Sequence, residues 1–310
     1  MIFVYCIIAV VLLLIIFTIV AGKVAFSITP KPSNVTPESL GLTFRDIYFS
    51  NSDHDVLHGW WIPHQDASDA NPCPSVIIVH GWNRNCERML PYLDHIKDLQ
   101  MNILMIEARG HGENRPNPFI SQVGFGRDII SAVDWIVLQP ESDIQRIGVF
   151  GHSVGAAATI FAAAFDKRIT AFVADASYAH PRDIIMQGLQ EYHLPYLPFG
   201  FILQHYIQMR IGMTLNSAAP EKLIRKISVP GLLIHGTADE VIPIDNLERI
   251  RSRAKSNISL WIAEGLRHSN TPEHPQFGKV VRGFFRSALQ LEDTATNPLF
   301  DDHTQMPSMN

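Results

Sequence analysis

Basic side chains are in short supply. Lys and Arg total 25 against 30 Asp and Glu, for a formal net charge of −5. No stretch gathers the cationic surface that a nucleic-acid backbone requires, so nucleic acid is not an expected partner. Cysteine is scarcer still. Three in 310 residues cannot staple a small scaffold. Cys6 lies in an apolar N-terminal run, and Cys73 and Cys86 read as free thiols of a reducing compartment unless the fold brings them together. The 14 histidines include no ligand spacing with a third partner, so no metal ion is expected; no organic cofactor is expected either. Repeats at a fixed period are lacking, which excludes solenoids and propellers. Hydrophobic residues make up 46% and charged residues 18%, the balance of a globular chain with one apolar segment added.

That segment is marked by a further absence: residues 2–21 carry no charge. A helix over this span is roughly 30 Å long, enough to cross a bilayer core. A cleaved signal peptide would begin with a basic region and hold a shorter apolar run of about 7–15 residues. Here the chain begins Met1, Ile2, Phe3, and no small-x-small site follows Ala21. A buried core helix fits poorly, because the run is apolar on all sides. Residues 1–22 are therefore expected as an uncleaved, single-pass transmembrane anchor. Lys23 and Lys31 follow it, and the positive-inside rule then places the body in the cytosol. Residues 23–41 contain Pro30, Pro32 and Pro37 and read as an extended linker lifting the body off the membrane.

Residues 42–291 alternate between two patterns. Short apolar runs at 75–80, 103–108, 146–150, 170–174, 231–235 and 259–262 read as buried strands. Residues 86–99, 126–138, 155–165 and 275–291 have helical spacing. An antiparallel pair at 44–49 and 55–62 opens the domain, turning at 51–54. The fold class is α/β, with a mostly parallel central sheet covered by helices on both faces. Residues 292–310 are polar and aperiodic and read as a disordered tail.

Ligands on such sheets bind beyond the carboxyl ends of the strands. Gly151, His152, Ser153, Val154 and Gly155 form G-x-S-x-G there, between the strand at 146–150 and an Ala-rich helix. A sharp turn in that context lifts a serine hydroxyl above the sheet at a helix N-terminus, and it needs flanking residues without bulk. An ordinary strand–helix turn with a capping serine is the plainer alternative. A serine near neutral pH needs a base, and the base an orienting carboxylate. Asp239 follows the strand at 231–235, and His268 follows the strand at 259–262. Asp175, Glu240 and Asp245 rival Asp239, and His274 rivals His268. Two backbone amides suit a developing oxyanion: that of Trp82, in the His80-Gly81-Trp82 turn, and that of Val154.

Together these residues resemble the α/β-hydrolase superfamily, especially its membrane-anchored, serine-aminopeptidase-like and Bem46-like members. HGWNRN at 80–85, EARGHGEN at 107–114, GHSVG at 151–155, the stretch 227–243 and GLRH at 265–268 carry the likeness. It covers about residues 42–290. The resemblance implies Ser153 as nucleophile, Asp239 as acid, His268 as base, and Trp82 and Val154 as oxyanion donors. Arg109 to Gly112 resembles a structural or pocket-lining loop, and Glu107 stands where the family often has Asp. A short helical lid is implied at about 177–219, rich in aromatics and poor in charge. The expected chemistry is hydrolysis of a small-molecule or lipid ester through an acyl-enzyme. An aminopeptidase, amidase or thioesterase of the same fold is the enzymatic alternative, and a non-catalytic membrane-anchored scaffold is the alternative of another class.

Overall fold

The computed structural model describes residues 1–25 and 27–291, so the expected tail at 292–310 lies outside it. Eight strands form one sheet: β1 (Arg45–Ser50), β2 (Val56–Ile62), β3 (Cys73–Val79), β4 (Asn102–Ile106), β5 (Ser142–His152), β6 (Ile169–Asp175), β7 (Gly231–Gly236) and β8 (Ile258–Ala263). Their spatial order is β1-β2-β4-β3-β5-β6-β7-β8. The β1–β2 and β2–β4 pairs are antiparallel, and the remaining pairs are parallel.

Each central strand feeds two cores, because successive side chains alternate between the faces of the sheet. In β3, Ile77 and Val79 join one core, and Val76 and Ile78 the other. The first core is closed by α3 (Gln122–Ile136) and α4 (Val154–Phe165), the second by α2 (Leu90–Asp94) and α10 (Phe277–Ala288). With both faces covered, the central strands carry uninterrupted apolar runs, which is why they stand out in the sequence.

The chain steps from β3 to β4 on one side and to β5 on the other. A crevice opens where the order reverses, at the carboxyl ends of β3 and β5. Between β6 and β7 lie α5 (Pro181–Glu191), α6 (Phe201–Ile211) and the single turns α7 (Leu215–Ala218) and α8 (Pro220–Leu223). They build a lid over that crevice. A short helix, α9 (Asp245–Arg251), follows β7 and takes hold of the lid: Arg249 bonds Asp183 at 2.6 Å and Glu221 at 3.0 Å.

The N-terminal segment is one helix, α1 (Ile2–Ala25). Among the described residues no helix is long and apolar enough to cross a membrane; the side chains at 7, 10, 11 and 25 lie outside that set. The side chains from Ile2 to Tyr5, with Ile8, Leu12 and Leu13, are exposed. The second half of α1 is not free. Leu14, Thr18 and Gly22, spaced by four, face inward, and Phe17 meets Phe199 edge-on at 6.2 Å. A side chain at Gly22 would come within 2.7 Å of Leu203 in α6.

The linker departs from the expectation of a spacer. Lys31 and Ser33 bond Asn85 and the Glu87 amide, Asn34 bonds the Glu87 carboxylate, and the Leu40 carbonyl accepts from Lys97. Pro37 opens a 3-10 turn at Pro37–Leu40; ahead of it the prolines keep the stretch out of regular structure, and its backbone groups pair with the body. Cys73 and Cys86 are buried free thiols.

Candidate active site

The crevice is built from four loops that leave the parallel strands β3, β5, β7 and β8. The first follows β5. Gly151 pairs with Val79 on β3 and with Ala174 on β6, and His152 pairs with Asp175. Ser153 then turns at φ 58°, ψ −121°, and α4 begins at once. A non-glycine residue rarely sits at such a φ, and the surrounding structure must hold it there. Two contacts do so. The Ser153 amide donates to the Asp175 carbonyl at 2.8 Å, and the helix start is pressed against β3. A Cβ on Gly155 would lie 2.5 Å from the His80 carbonyl oxygen, and one on Gly151 would lie 2.2 Å from that of Gly155. Both flanking positions therefore require glycine on steric grounds.

The second loop leaves β3 through His80, Gly81 and Trp82. A Cβ on Gly81 would lie 3.2 Å from Cβ of Ser153, so this turn passes directly over the serine. Two buried histidines hold it. His80 donates from Nδ1 to the Gly81 carbonyl at 2.7 Å and accepts the Ala108 amide on Nε2 at 3.1 Å. His111 donates from Nδ1 to the Arg109 carbonyl at 2.9 Å and accepts the Asn83 amide on Nε2 at 3.1 Å. Each ring uses one nitrogen as donor and the other as acceptor, the pattern of a neutral imidazole. The segment from Arg109 to Gly112 is thus a prop for the turn. Arg109 is itself anchored on the buried Asp128 and on Asp53.

Burial, reinforced by neighbouring His111, pushes His80 down to about 3; burial pushes His111 down to about 4. In the unfolded chain both would take a proton near the ordinary histidine value of about 6.5. The folded pKa is the lower one, so their contribution to stability is complete above about pH 6.5. It is lost as pH falls from there toward 4. Thermal melts should show stability falling by about 2 kcal/mol per histidine between pH 8 and pH 5. His111→Gln keeps an acceptor for the Asn83 amide, and its pH profile should be visibly flatter. An equally steep profile in that variant would remove His111 from the cause.

The third and fourth loops leave β7 and β8. They are locked together: the Ala238 amide bonds the Leu266 carbonyl at 2.9 Å, and the Gly265 amide bonds Oγ1 of Thr237 at 2.8 Å. Asp239 and His268 meet as a result. Nδ1 of His268 donates to Oδ2 of Asp239 at 2.7 Å, and Nε2 of His268 lies 2.9 Å from Oγ of Ser153. The other Asp239 oxygen accepts the amides of Val241 and Ile242 at 2.9 and 2.8 Å. Burial alone would raise this carboxyl. Hydrogen bonds from His235 and His268 and from the Ile242 amide outweigh it and hold the group well below the usual carboxylate range. It is a fixed anion beside the imidazole. His268 keeps partial contact with solvent.

The structure therefore brings Ser153, His268 and Asp239 into one hydrogen-bonded chain. Trp82 and Val154 line the same cavity as Ser153. Val154 is the first residue of α4, so its amide is one of those without an intrahelical acceptor. The rivals fall elsewhere. Asp175 is fully buried and accepts from Thr271, His152 and Tyr92 at 2.7, 3.1 and 3.2 Å, none of which is Ser153. Glu240 and Asp245 are exposed, and His274 packs on Trp261 and accepts the Gln276 amide. His152 points into the Asp175 cluster, its ring 5.0 Å from that of His268. This cluster was not foreseen. It ties the serine turn to Thr271, three residues beyond His268, and so fixes the two loops relative to each other.

A cavity of about 1040 Å³ rises from Ser153 beneath the lid. That is the upper end of the range of about 300–1,000 Å³ seen for small-molecule sites. Its lining is mostly aliphatic and aromatic, and its two glutamines are engaged by the protein itself. The Gln122 amide donates to the Ala157 and Ala218 carbonyls and accepts from Tyr178, and Gln187 bonds the Val241 carbonyl.

Sequence comparison matches residues 70–197 to the family described as serine aminopeptidase, S33. The chain is 29% identical to the protein YqkD of Bacillus subtilis strain 168 over 216 residues, 68% of this chain and 70% of that one. It is 25% identical to the alpha/beta hydrolase domain-containing protein WAV2 of Arabidopsis thaliana over 234 residues, 72% of this chain and 71% of that one. Among solved structures it resembles an esterase of Pyrococcus furiosus, with a TM-score of 0.67 at 22% identity, covering 84% of this chain and 100% of that one. It also resembles an acylaminoacyl peptidase of Pyrococcus horikoshii, with a TM-score of 0.64 at 18% identity, covering 83% of this chain and 43% of that one.

Proposed function

This chain belongs to the α/β-hydrolase superfamily, as a hydrolase of the esterase or peptidase type, and from that premise we propose that it is a serine hydrolase cleaving carboxylic esters through an acyl-enzyme on Ser153. The observation that carries this reading is the chain of contacts from Asp239 through His268 to Ser153, at 2.7 and 2.9 Å. Nε2 of His268 is placed to take the Ser153 proton as Oγ attacks the carbonyl carbon. Asp239 holds the ring with Nδ1 protonated and stabilises the imidazolium that forms. The amides of Trp82 and Val154 receive the negative charge that develops on the carbonyl oxygen, each such donor lowering the barrier by about 3 kcal/mol. The proton passes to the leaving alkoxide. Water then attacks the acyl-enzyme with His268 again as base, and Ser153 is released.

The pocket supports esters over peptides. An aminopeptidase needs free carboxylates to hold a substrate ammonium. Of the lid acids, Asp183 is engaged by Arg249 at 2.6 Å, leaving Glu191 as the acid on the cavity wall. Exposed apolar side chains along α1 support attachment to a membrane, and Lys23 and Lys31 support a cytosolic body.

A fluorophosphonate probe should label the folded chain on Ser153, read by mass spectrometry. The same preparation should hydrolyse p-nitrophenyl esters. A folded chain that neither takes the probe nor turns over any ester of the panel would favour the scaffold reading.

A further inference from the structure

The pocket is not closed by the lid alone. Phe17, Thr18, Ala21, Gly22 and Val24 of α1 line it together with Ser153. The contact is a fitted one. Gly22 is buried against α6, where a Cβ would come within 2.7 Å of the terminal Cδ1 of Leu203, and Thr18 is buried with its hydroxyl donated to the Leu14 carbonyl at 2.7 Å. This end of the cavity therefore presents hydrocarbon, its one hydroxyl having a partner within the helix. The mouth can be located from those lining residues that are also exposed. Phe17, Val24 and Tyr192 are 55, 71 and 68% exposed, and Val241 is 49% exposed. Ala21 is exposed there too, as are Gln187 and Glu191 of α5, so five of the seven rim residues are apolar or aromatic and the polar ones are confined to one face of α5. On the neighbouring face of α1, Ile16 and Val20 are exposed, and the apolar surface continues down the shaft to Ile2. Leu197, Phe201 and Met209 extend it across the lid.

We propose that α1 is a wall of the substrate site, and that the pocket holds the long acyl chain of a lipid ester, which enters between α1 and the end of α5 from the bilayer in which α1 sits. Hydrocarbon passing from bilayer to pocket along this face stays against apolar surface, so its transfer exposes little of it to water. The ester carbonyl then lies at Ser153 and the chain runs toward α1. This inference rests on the serine-hydrolase reading and on the membrane attachment of α1, and adds the substrate class and the route.

The test uses the full chain reconstituted in phosphatidylcholine vesicles. Wild type should hydrolyse p-nitrophenyl hexadecanoate with a higher kcat/KM than the butanoate. Ala21→Trp, which fills the pocket from the α1 side, should lower the hexadecanoate-to-butanoate ratio at least tenfold. Leu13→Trp, on the exposed shaft outside the pocket, should keep the wild-type ratio. Ala21→Leu serves the same purpose if the larger side chain prevents folding, as judged by fluorophosphonate labelling. A ratio unchanged in a labelled Ala21 variant overturns the wall. For the route, hexadecanoate embedded in the enzyme's own vesicles should be consumed much faster than the same ester in separate vesicles, and equal rates overturn entry from the shared bilayer. Failure of the wild type to take the probe would instead overturn the serine-hydrolase reading beneath both.

Discussion

Ser153→Ala should lower kcat/KM for every ester by a factor on the order of 10⁶, to the residual rate left by the oxyanion donors and binding. The loss should be in kcat, with fluorophosphonate labelling gone and the fold intact. The last point follows from the backbone. Ser153 sits at φ 58° because the Asp175 carbonyl and the tight helix start hold it there, and its side chain does not cap α4. Removing the hydroxyl leaves that strain in place, because Ala still carries a Cβ. Ser153→Gly removes the Cβ that makes this conformation costly, by about 1–2 kcal/mol, less what a glycine adds to the freedom of the unfolded chain. The inactive glycine variant should therefore melt above the inactive alanine variant, as scanning calorimetry would show. Ester turnover by either variant within tenfold of wild type would take Ser153 out of the chemistry.

Asp239→Asn should cost about 10⁴-fold in kcat while leaving the fold close to unchanged. The reason lies in the two amides of Val241 and Ile242, at 2.9 and 2.8 Å from one carboxylate oxygen. They demand an acceptor, so the carbonyl oxygen of an asparagine must face them. Its NH₂ group then faces Nδ1 of His268, where a carboxylate now accepts. The imidazole is driven to the tautomer with its proton on Nε2, toward Ser153, and can no longer take the serine proton. Stopped-time assays with p-nitrophenyl esters and the rate of fluorophosphonate labelling should fall together. A loss under tenfold would remove Asp239 from the orienting role.

Much of this site could be read from the chain because the fold places its functional groups by rule. Buried parallel strands carry unbroken apolar runs, so their ends are visible, and Ser153, Asp239 and Trp82 each follow one, while His268 follows the half-exposed edge strand β8. The less legible parts share one cause: they depend on what lies opposite. Residues 86–99 have helical spacing, but a 3-10 turn at Cys86–Met89 and a single α-turn at Leu90–Asp94 form instead. The helix expected from residue 126 begins at Gln122, capped by Ser121. Gly124 and Gly126 look like breakers in isolation, yet they are where Arg109 and Phe161 pack against the helix. The short helix Asp245–Arg251 is mostly polar and gives little period to detect. His235, which donates to the Ile242 carbonyl at 2.7 Å and steadies the Asp239 loop, carries no signal beyond its place at a strand end.

The helix at the N-terminus was the easiest segment to assign and the one whose role the sequence revealed least. Apolar composition is all that an inert tether needs, and almost any hydrophobic sequence of that length would serve. Thr18 and Gly22 depart from that freedom, four residues apart on the face that meets Leu203. A chimera carrying a foreign hydrophobic helix, or a shortened chain made for convenience of purification, would thus be a different enzyme and not the same one with its handle exchanged. Its substrate preferences would describe a pocket with one side missing.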